Sequence, residues 1–76
     1  MDESLKYYQK ALALEPKNHN FLYNIGLLFA KKNDFTKAIW KFNKSIEIRN
    51  DNPYAYIALA DAYEKKGEIV QALKAF

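Results

Sequence analysis

The chain has 76 residues, half of them hydrophobic and 28% charged, with 12 basic and 9 acidic side chains and a net charge of +3. That composition fits one small globular unit and excludes a disordered segment, and the charge excess falls well short of the dense basic stripe that non-specific nucleic-acid binding uses. Cysteine is absent, which excludes disulfides and thiolate metal sites and is compatible with a reducing cytoplasm. With two glycines, two prolines and a single threonine, the sequence predicts helices rather than strands. No signal peptide is recognisable, and no apolar run approaches the roughly 20 residues of a membrane span. The expected location is therefore cytoplasmic.

Residues 2–14 form the first helical segment. Leu5, Tyr8, Ala11 and Leu12 fall on one stripe, with Leu14 beside it, because 3.6 residues per turn brings i, i+3, i+4 and i+7 to one face. Asp2 and Glu3 sit in its first turn, where the helix dipole favours acid. Pro16 ends it, and Asn18 is the expected cap of the next helix, residues 19–32. There the apolar stripe is Leu22, Ile25, Gly26 and Phe29. Lys31 and Lys32 stand at the C-terminal end, where the dipole favours cations. Asn33 is placed for the left-handed site that ends many helices, and Asp34 caps the third helix, residues 35–48, with Phe35, Ala38, Ile39 and Phe42 as its stripe. These two helices form an αα-hairpin. Asn52-Pro53 opens a fourth helix, residues 53–66, as cap and first helical residue. Gly67 takes the left-handed position, and a fifth helix starts near Glu68 and runs to Phe76.

A shift of 34 residues superimposes the chain on itself. Ser4 falls on Ala38 and Ala72, Leu5 on Ile39 and Leu73, and Tyr8 on Phe42 and Phe76. Leu22 falls on Tyr56, Ile25 on Leu59, Gly26 on Ala60, Phe29 on Tyr63 and Asn33 on Gly67. Amphipathic helices alone would align apolar stripes; here the small sites, the caps and the turn residue align as well. The pattern Leu22, Ile25-Gly26, Phe29, Ala38, Phe42, repeated as Tyr56, Leu59-Ala60, Tyr63, Ala72, Phe76, resembles the tetratricopeptide repeat over the whole chain. Leu22 and Tyr56 stand where that family commonly has Trp, and Asn50 replaces its closing proline. The resemblance implies an all-α fold of antiparallel helix-turn-helix repeats, an α-solenoid of about five helices. Residues 1–18 would be the second helix of an incomplete repeat, 19–52 a complete repeat, and 53–76 a repeat cut in its second helix. Such units bury their apolar faces against neighbours. Leu5, Tyr8 and Leu12 are thus expected to face an absent helix at the front, and Phe76 to lack a cover at the back. Either the chain is a piece of a longer array, or copies associate end to end or by swapping helices; the expectation is a piece that also forms homo-oligomers in isolation.

The resemblance also implies a protein or peptide partner, held in the concave groove lined by the first helices of successive hairpins. On the second helix the face offset from the core is Asn20, Tyr23, Asn24, Leu27, Ala30 and Lys31; on the fourth it is Tyr54, Ile57, Ala58, Asp61, Glu64 and Lys65. Rigid tyrosines offer contact area at low entropic cost, and Asn side chains can bind a peptide backbone. The candidate partner-binding residues are Asn20, Tyr23, Asn24, Leu27, Lys31, Tyr54, Ile57 and Asp61. Leu27 and Asp61 are unsuited to capturing a terminal carboxylate, so an apolar or mixed ligand is expected. The competing readings are an RNA-binding helical repeat, from Lys31, Lys32, Lys65 and Lys66 one repeat apart, and a purely structural spacer.

Nothing in the sequence points to an enzyme or a cofactor. His19, the single histidine, sits at a helix start without a carboxylate at metal spacing and reads as a connector residue. Ser4 and Ser45 fall on alanine positions of the repeat and read as close-packing sites rather than nucleophiles. Trp40 aligns with Lys6 and Lys74, so it is expected on the outer face of its helix, either as an interface anchor or lying flat over Lys41, Lys44 or a neighbouring turn.

Overall fold

Asparagine and aspartate set three of the four helix starts seen in the computed structural model, which describes residues 2–67. The helices are α1 (Asp2–Leu14), α2 (His19–Lys31), α3 (Phe35–Ile48) and α4 (Pro53–Lys66). Asn18 Oδ1 accepts the backbone N–H groups of Asn20 and Phe21 at 3.0 and 3.3 Å. Asp34 Oδ1 accepts that of Lys37 at 3.3 Å, and Asn52 Oδ1 that of Tyr54 at 3.0 Å. Each bond satisfies a donor that the first helical turn leaves without an intrahelical partner. Pro53, lacking an N–H, occupies the first turn of α4.

The helix ends follow from backbone chirality. Asn33 has φ 64° and Gly67 φ 92°. At α2 the Asp34 N–H donates to the Phe29 carbonyl at 2.9 Å and the Asn33 N–H to that of Ala30 at 3.0 Å. These are the paired 6→1 and 5→2 bonds of a Schellman end. The α3–α4 connector holds without a proline at position 50: Arg49 binds both carboxylate oxygens of Asp51, at 2.8 and 3.3 Å, and the Tyr56 hydroxyl donates to the Asn50 carbonyl at 3.0 Å.

Helix α2 is the centre of the assembly. It packs most extensively on α3, also against α1, and touches α4, which in turn leans on α3. The core is Ile25 and Phe29 of α2, Ala38, Ile39 and Phe42 of α3, and Leu59 and Ala62 of α4. Gly26 lets α2 approach α3 closely, with the Phe42 ring filling the space a side chain would take. Ser45 is fully buried, and its hydroxyl donates to the His19 carbonyl at 2.9 Å, tying α3 to the start of α2.

Two expectations need comment. Leu5, Tyr8 and Leu12 do not face outward: they are half-buried and pack on the core, and the Tyr8 ring lies 6.1 Å from that of Phe21 on α2. An amphipathic stripe identifies the apolar face of a helix but not the neighbour it meets, and here α2 covers it. The large apolar side chains that α1 leaves exposed are Tyr7 and Leu14. The fifth helix and Phe76 lie outside the described residues. Trp40 is on the outer face as expected, 55% exposed, with Lys41 Nζ 4.6 Å and Lys44 Nζ 5.3 Å from its ring centroid.

Candidate functional site

The offset faces of α2 and α4 meet across a groove. Its main hollow, about 340 Å³, is walled by Tyr23, Leu27 and Ala30 of α2 and by Tyr54, Ile57, Ala58, Asp61 and Glu64 of α4. The floor is Phe42 with Ala62. The Tyr23 and Phe42 rings lie 5.9 Å apart at 45°, a tilted contact that fixes the Tyr23 side chain. A second, shallower hollow of about 610 Å³ continues toward the helix starts, between His19, Asn20 and Tyr23 on one side and Arg49, Asp51, Asn52, Pro53 and Tyr54 on the other. Tyr23 and Tyr54 line both hollows, so the two form one continuous trough.

Of the eight residues singled out from the sequence, Tyr23, Leu27, Tyr54, Ile57 and Asp61 come together in the main hollow, and Asn20 lies in its continuation. Asn24 is half-buried and Lys31 exposed; neither lines either hollow. Sequence reasoning missed Phe42 as groove floor, having assigned it to the core. It serves both roles, because Gly26 lets its ring reach under Tyr23. It also missed the connector residues Arg49, Asp51 and Pro53, which carry no apolar period to mark them.

The groove is apolar with an acidic edge. Tyr54 and Ile57 are 68% and 53% exposed, large apolar surface that a covering partner would bury. Asp61 pairs with Lys65 at 3.8 Å, both side chains open to solvent, a pair of small energetic weight. At the far end the Arg49 hydrogen bonds hold the Asp51 carboxyl below its ordinary pKa and push the Arg49 guanidinium further up. His19 Nδ1 is buried with no hydrogen-bond partner, while the His19 carbonyl takes the Ser45 hydroxyl. Among the described residues no cluster of His, Cys, Asp and Glu could hold a metal ion, and no helix is long and apolar enough to cross a membrane.

Comparison with known proteins agrees with the repeat geometry. The TPR repeat family model matches residues 1–33 and again 28–67. A TPR repeat-containing protein of Methanocaldococcus jannaschii is 36% identical over 97% of the chain. Photosystem I assembly protein Ycf3 of Rippkaea orientalis is 36% identical over 87% of the chain, and the Hsp70-Hsp90 organising protein of Plasmodium falciparum 34% identical over 74%. The crystal structure of MamA protein superimposes on 95% of the chain with a TM-score of 0.91 at 32% identity. The chain spans 14%, 40% and 22% of the length of those three relatives and 39% of MamA. The 34-residue self-similarity, the all-helical hairpins and these matches lead to one conclusion: the chain belongs to the tetratricopeptide repeat (TPR) family.

Proposed function

We propose that this chain is a protein-interaction module that holds an apolar or mixed segment of a partner protein in the trough between α2 and α4. The observation that carries the reading is the exposure of Tyr54 and Ile57 beside an apolar hollow floored by Phe42. Preorganised aromatic and aliphatic anchors around a concavity are what peptide grooves use for affinity. Tyr23, Leu27, Tyr54 and Ile57 would supply contact area. Asn20 and Asp61 would bond the ligand backbone or a basic side chain at the edges, and Asn24 and Lys31 would act only on a ligand extending beyond the two hollows. Residues 19–52 would be the complete repeat unit, with its neighbours contributing the walls. TPR proteins are typically non-enzymatic scaffolds, and no catalytic role is assigned to any residue here. Two relatives carry assembly and chaperone-organising names, which fits a partner-binding role. The uncovered Tyr7 and Leu14 of α1 support an additional tendency of copies to associate, which sedimentation over a concentration series would read.

The test is selection of binders from a random peptide library, followed by mapping on the isotopically labelled chain. Selected peptides should shift the amide resonances of Tyr23, Leu27, Tyr54 and Ile57, and Leu27→Arg should abolish binding while leaving the helical circular-dichroism signal intact. Peptides that bind equally well to the Leu27→Arg chain would sink the groove reading.

A further inference from the structure

The opposite side of the molecule carries a second cleft, distinct from the α2–α4 trough. Helices α1 and α3 are separated by α2, whose Leu22 and Phe29 form the cleft floor. Trp40 and Lys41 stand in the middle of it and divide it into hollows of about 450 and 370 Å³. On α3 the stripe Lys37, Trp40, Lys41, Lys44 has the spacing i, i+3, i+4, i+7, so four side chains project along one face. Lys37 reaches over the Phe29 ring at 5.6 Å, in the first hollow. Lys41 and Lys44 reach over Trp40, and Lys17 borders the second hollow from the chain that follows α1.

The charge here is one-sided. Four lysines and one glutamate line the two hollows. Lys44 pairs with Glu47 at 3.5 Å and Lys37 with Asp34 at 3.8 Å, both in solvent. Lys41 is different. It borders both hollows, is half-buried, and has no carboxylate within ion-pair distance among the described residues; its ammonium lies against the Trp40 ring instead. Burial lowers its pKa, the mark of a cation that has lost water without gaining an anion. An exposed Trp beside such a cation over an apolar floor joins a flat anchor to a charge that lacks its counterpart.

We propose that the α1–α3 cleft is a docking surface for an acidic, partly apolar peptide segment of a partner protein. Lys37 and Lys44 are seven residues apart, roughly 10 Å along the helix axis. That spacing matches carboxylates three residues apart in a peptide of polyproline II form, which returns to the same face every third residue at a rise of about 3.1 Å per residue. One ligand carboxylate meets Lys37 and the next meets Lys44, Lys41 between them adds its charge to either, and an aliphatic side chain between the two carboxylates enters a hollow beside Trp40. A uniformly charged polyanion would gain nothing from Leu22 and Phe29 and would meet Glu47 and Asp34 unfavourably. The surface therefore goes beyond the trough reading and stands or falls separately from it.

The test uses the whole chain and its single Trp as reporter. The probes are a short blocked peptide of repeating Glu-Leu-Ser units, its Gln-Leu-Ser counterpart, and poly(U). The acidic peptide should change Trp40 emission saturably, and its affinity should fall about tenfold in Lys41→Gln and again in Lys44→Gln, which removes a second charge. Added salt should weaken it, while Ile57→Ser on the opposite face should leave it unchanged. Helical circular dichroism of each variant guards against misfolding. Equal response to the Gln peptide, a response untouched by Lys41→Gln, a response lost in Ile57→Ser, or tight binding of poly(U) without the acidic peptide would each overturn the proposal, as would no response at all.

Discussion

Gly26→Ala tests the packing that sets the distance between α2 and α3. The added Cβ would lie 2.5 Å from Phe42 Cε1, 2.7 Å from Cδ1 and 3.1 Å from Cζ. Carbon atoms pack favourably at about 3.5–4.0 Å, so the ring would have to withdraw by roughly 1 Å. Phe42 is 1% exposed and rests against Tyr23, so its ring can withdraw only by displacing Tyr23 and reshaping the trough it floors. Overpacking of this kind costs about 1–3 kcal/mol, whereas alanine gains about 1 kcal/mol over glycine in a helix interior. The difference is a loss of about 1 kcal/mol, equivalent to a fall of roughly 4–8 °C in thermal midpoint for a domain of this size. In a Phe42→Leu background the obstruction is gone, and the same Gly26→Ala change should raise the midpoint through helix propensity alone. Thermal unfolding of the four members of this cycle by circular dichroism reads both signs. A stabilising Gly26→Ala in the parent chain, or an identical penalty beside Leu at position 42, would refute the argument.

The other glycine acts through its backbone: among the described residues nothing lies within 4 Å of a Cβ at position 67, but its φ is 92°, so Gly67→Ala should cost about 1–2 kcal/mol from chirality alone, readable as a lowered urea midpoint. Ser45→Ala removes the bond to the His19 carbonyl and should cost about 1–2 kcal/mol, with faster amide exchange at the start of α2. Because the Arg49 hydrogen bonds hold the folded Asp51 carboxyl below its ordinary value of 3.8, its contribution is present above that pH and disappears as pH falls through the lower folded value. Asp51→Asn should thus lower the midpoint at neutral pH and match the parent in strong acid. Trp40, 55% exposed and flanked by lysine ammonium groups, should be quenched more efficiently by iodide than by caesium, with the difference shrinking as salt screens the charges. Equal quenching by the two ions would contradict that geometry.

What the sequence revealed was local or periodic. The caps Asn18, Asp34 and Asn52 and the left-handed residues Asn33 and Gly67 stand where their chemistry put them, because each acts on backbone within three or four residues. The outward placement of Trp40 followed from its alignment with Lys6. The apolar and acidic walls of the trough were legible too, since Tyr23, Leu27, Ile57 and Asp61 lie on helix faces offset from the core stripe. Features made by more than one helix were not. Whether Leu5, Tyr8 and Leu12 meet α2 or open space depends on how α1 turns back after Pro16. The cleft around Trp40 belongs to α1 and α3, which are not consecutive, and its floor belongs to a third helix. Phe42 looked like a core residue because a stripe has one periodicity even when its side chain serves two surfaces.

The dual role of Phe42 ties stability to recognition. Its ring occupies the space that Gly26 leaves open, and the same ring is the floor under Tyr23 and Leu27. Moving it by the roughly 1 Å that a methyl at position 26 demands would change the hollow's depth as well as the α2–α3 spacing. Gly67 differs: its cost lies in one backbone angle at the end of α4, with no side-chain contact to a Cβ there among the described residues. Two substitutions with similar losses in midpoint are therefore expected to part in their effect on a trough ligand. Position 60 bears on the same point. There the aligned residue is alanine, fully buried on α4, and the residue aligned with Phe42, Phe76, lies outside the described residues. At position 26 glycine is matched to the ring of Phe42 that fills the space beside it, and the trough takes its shape from that pair.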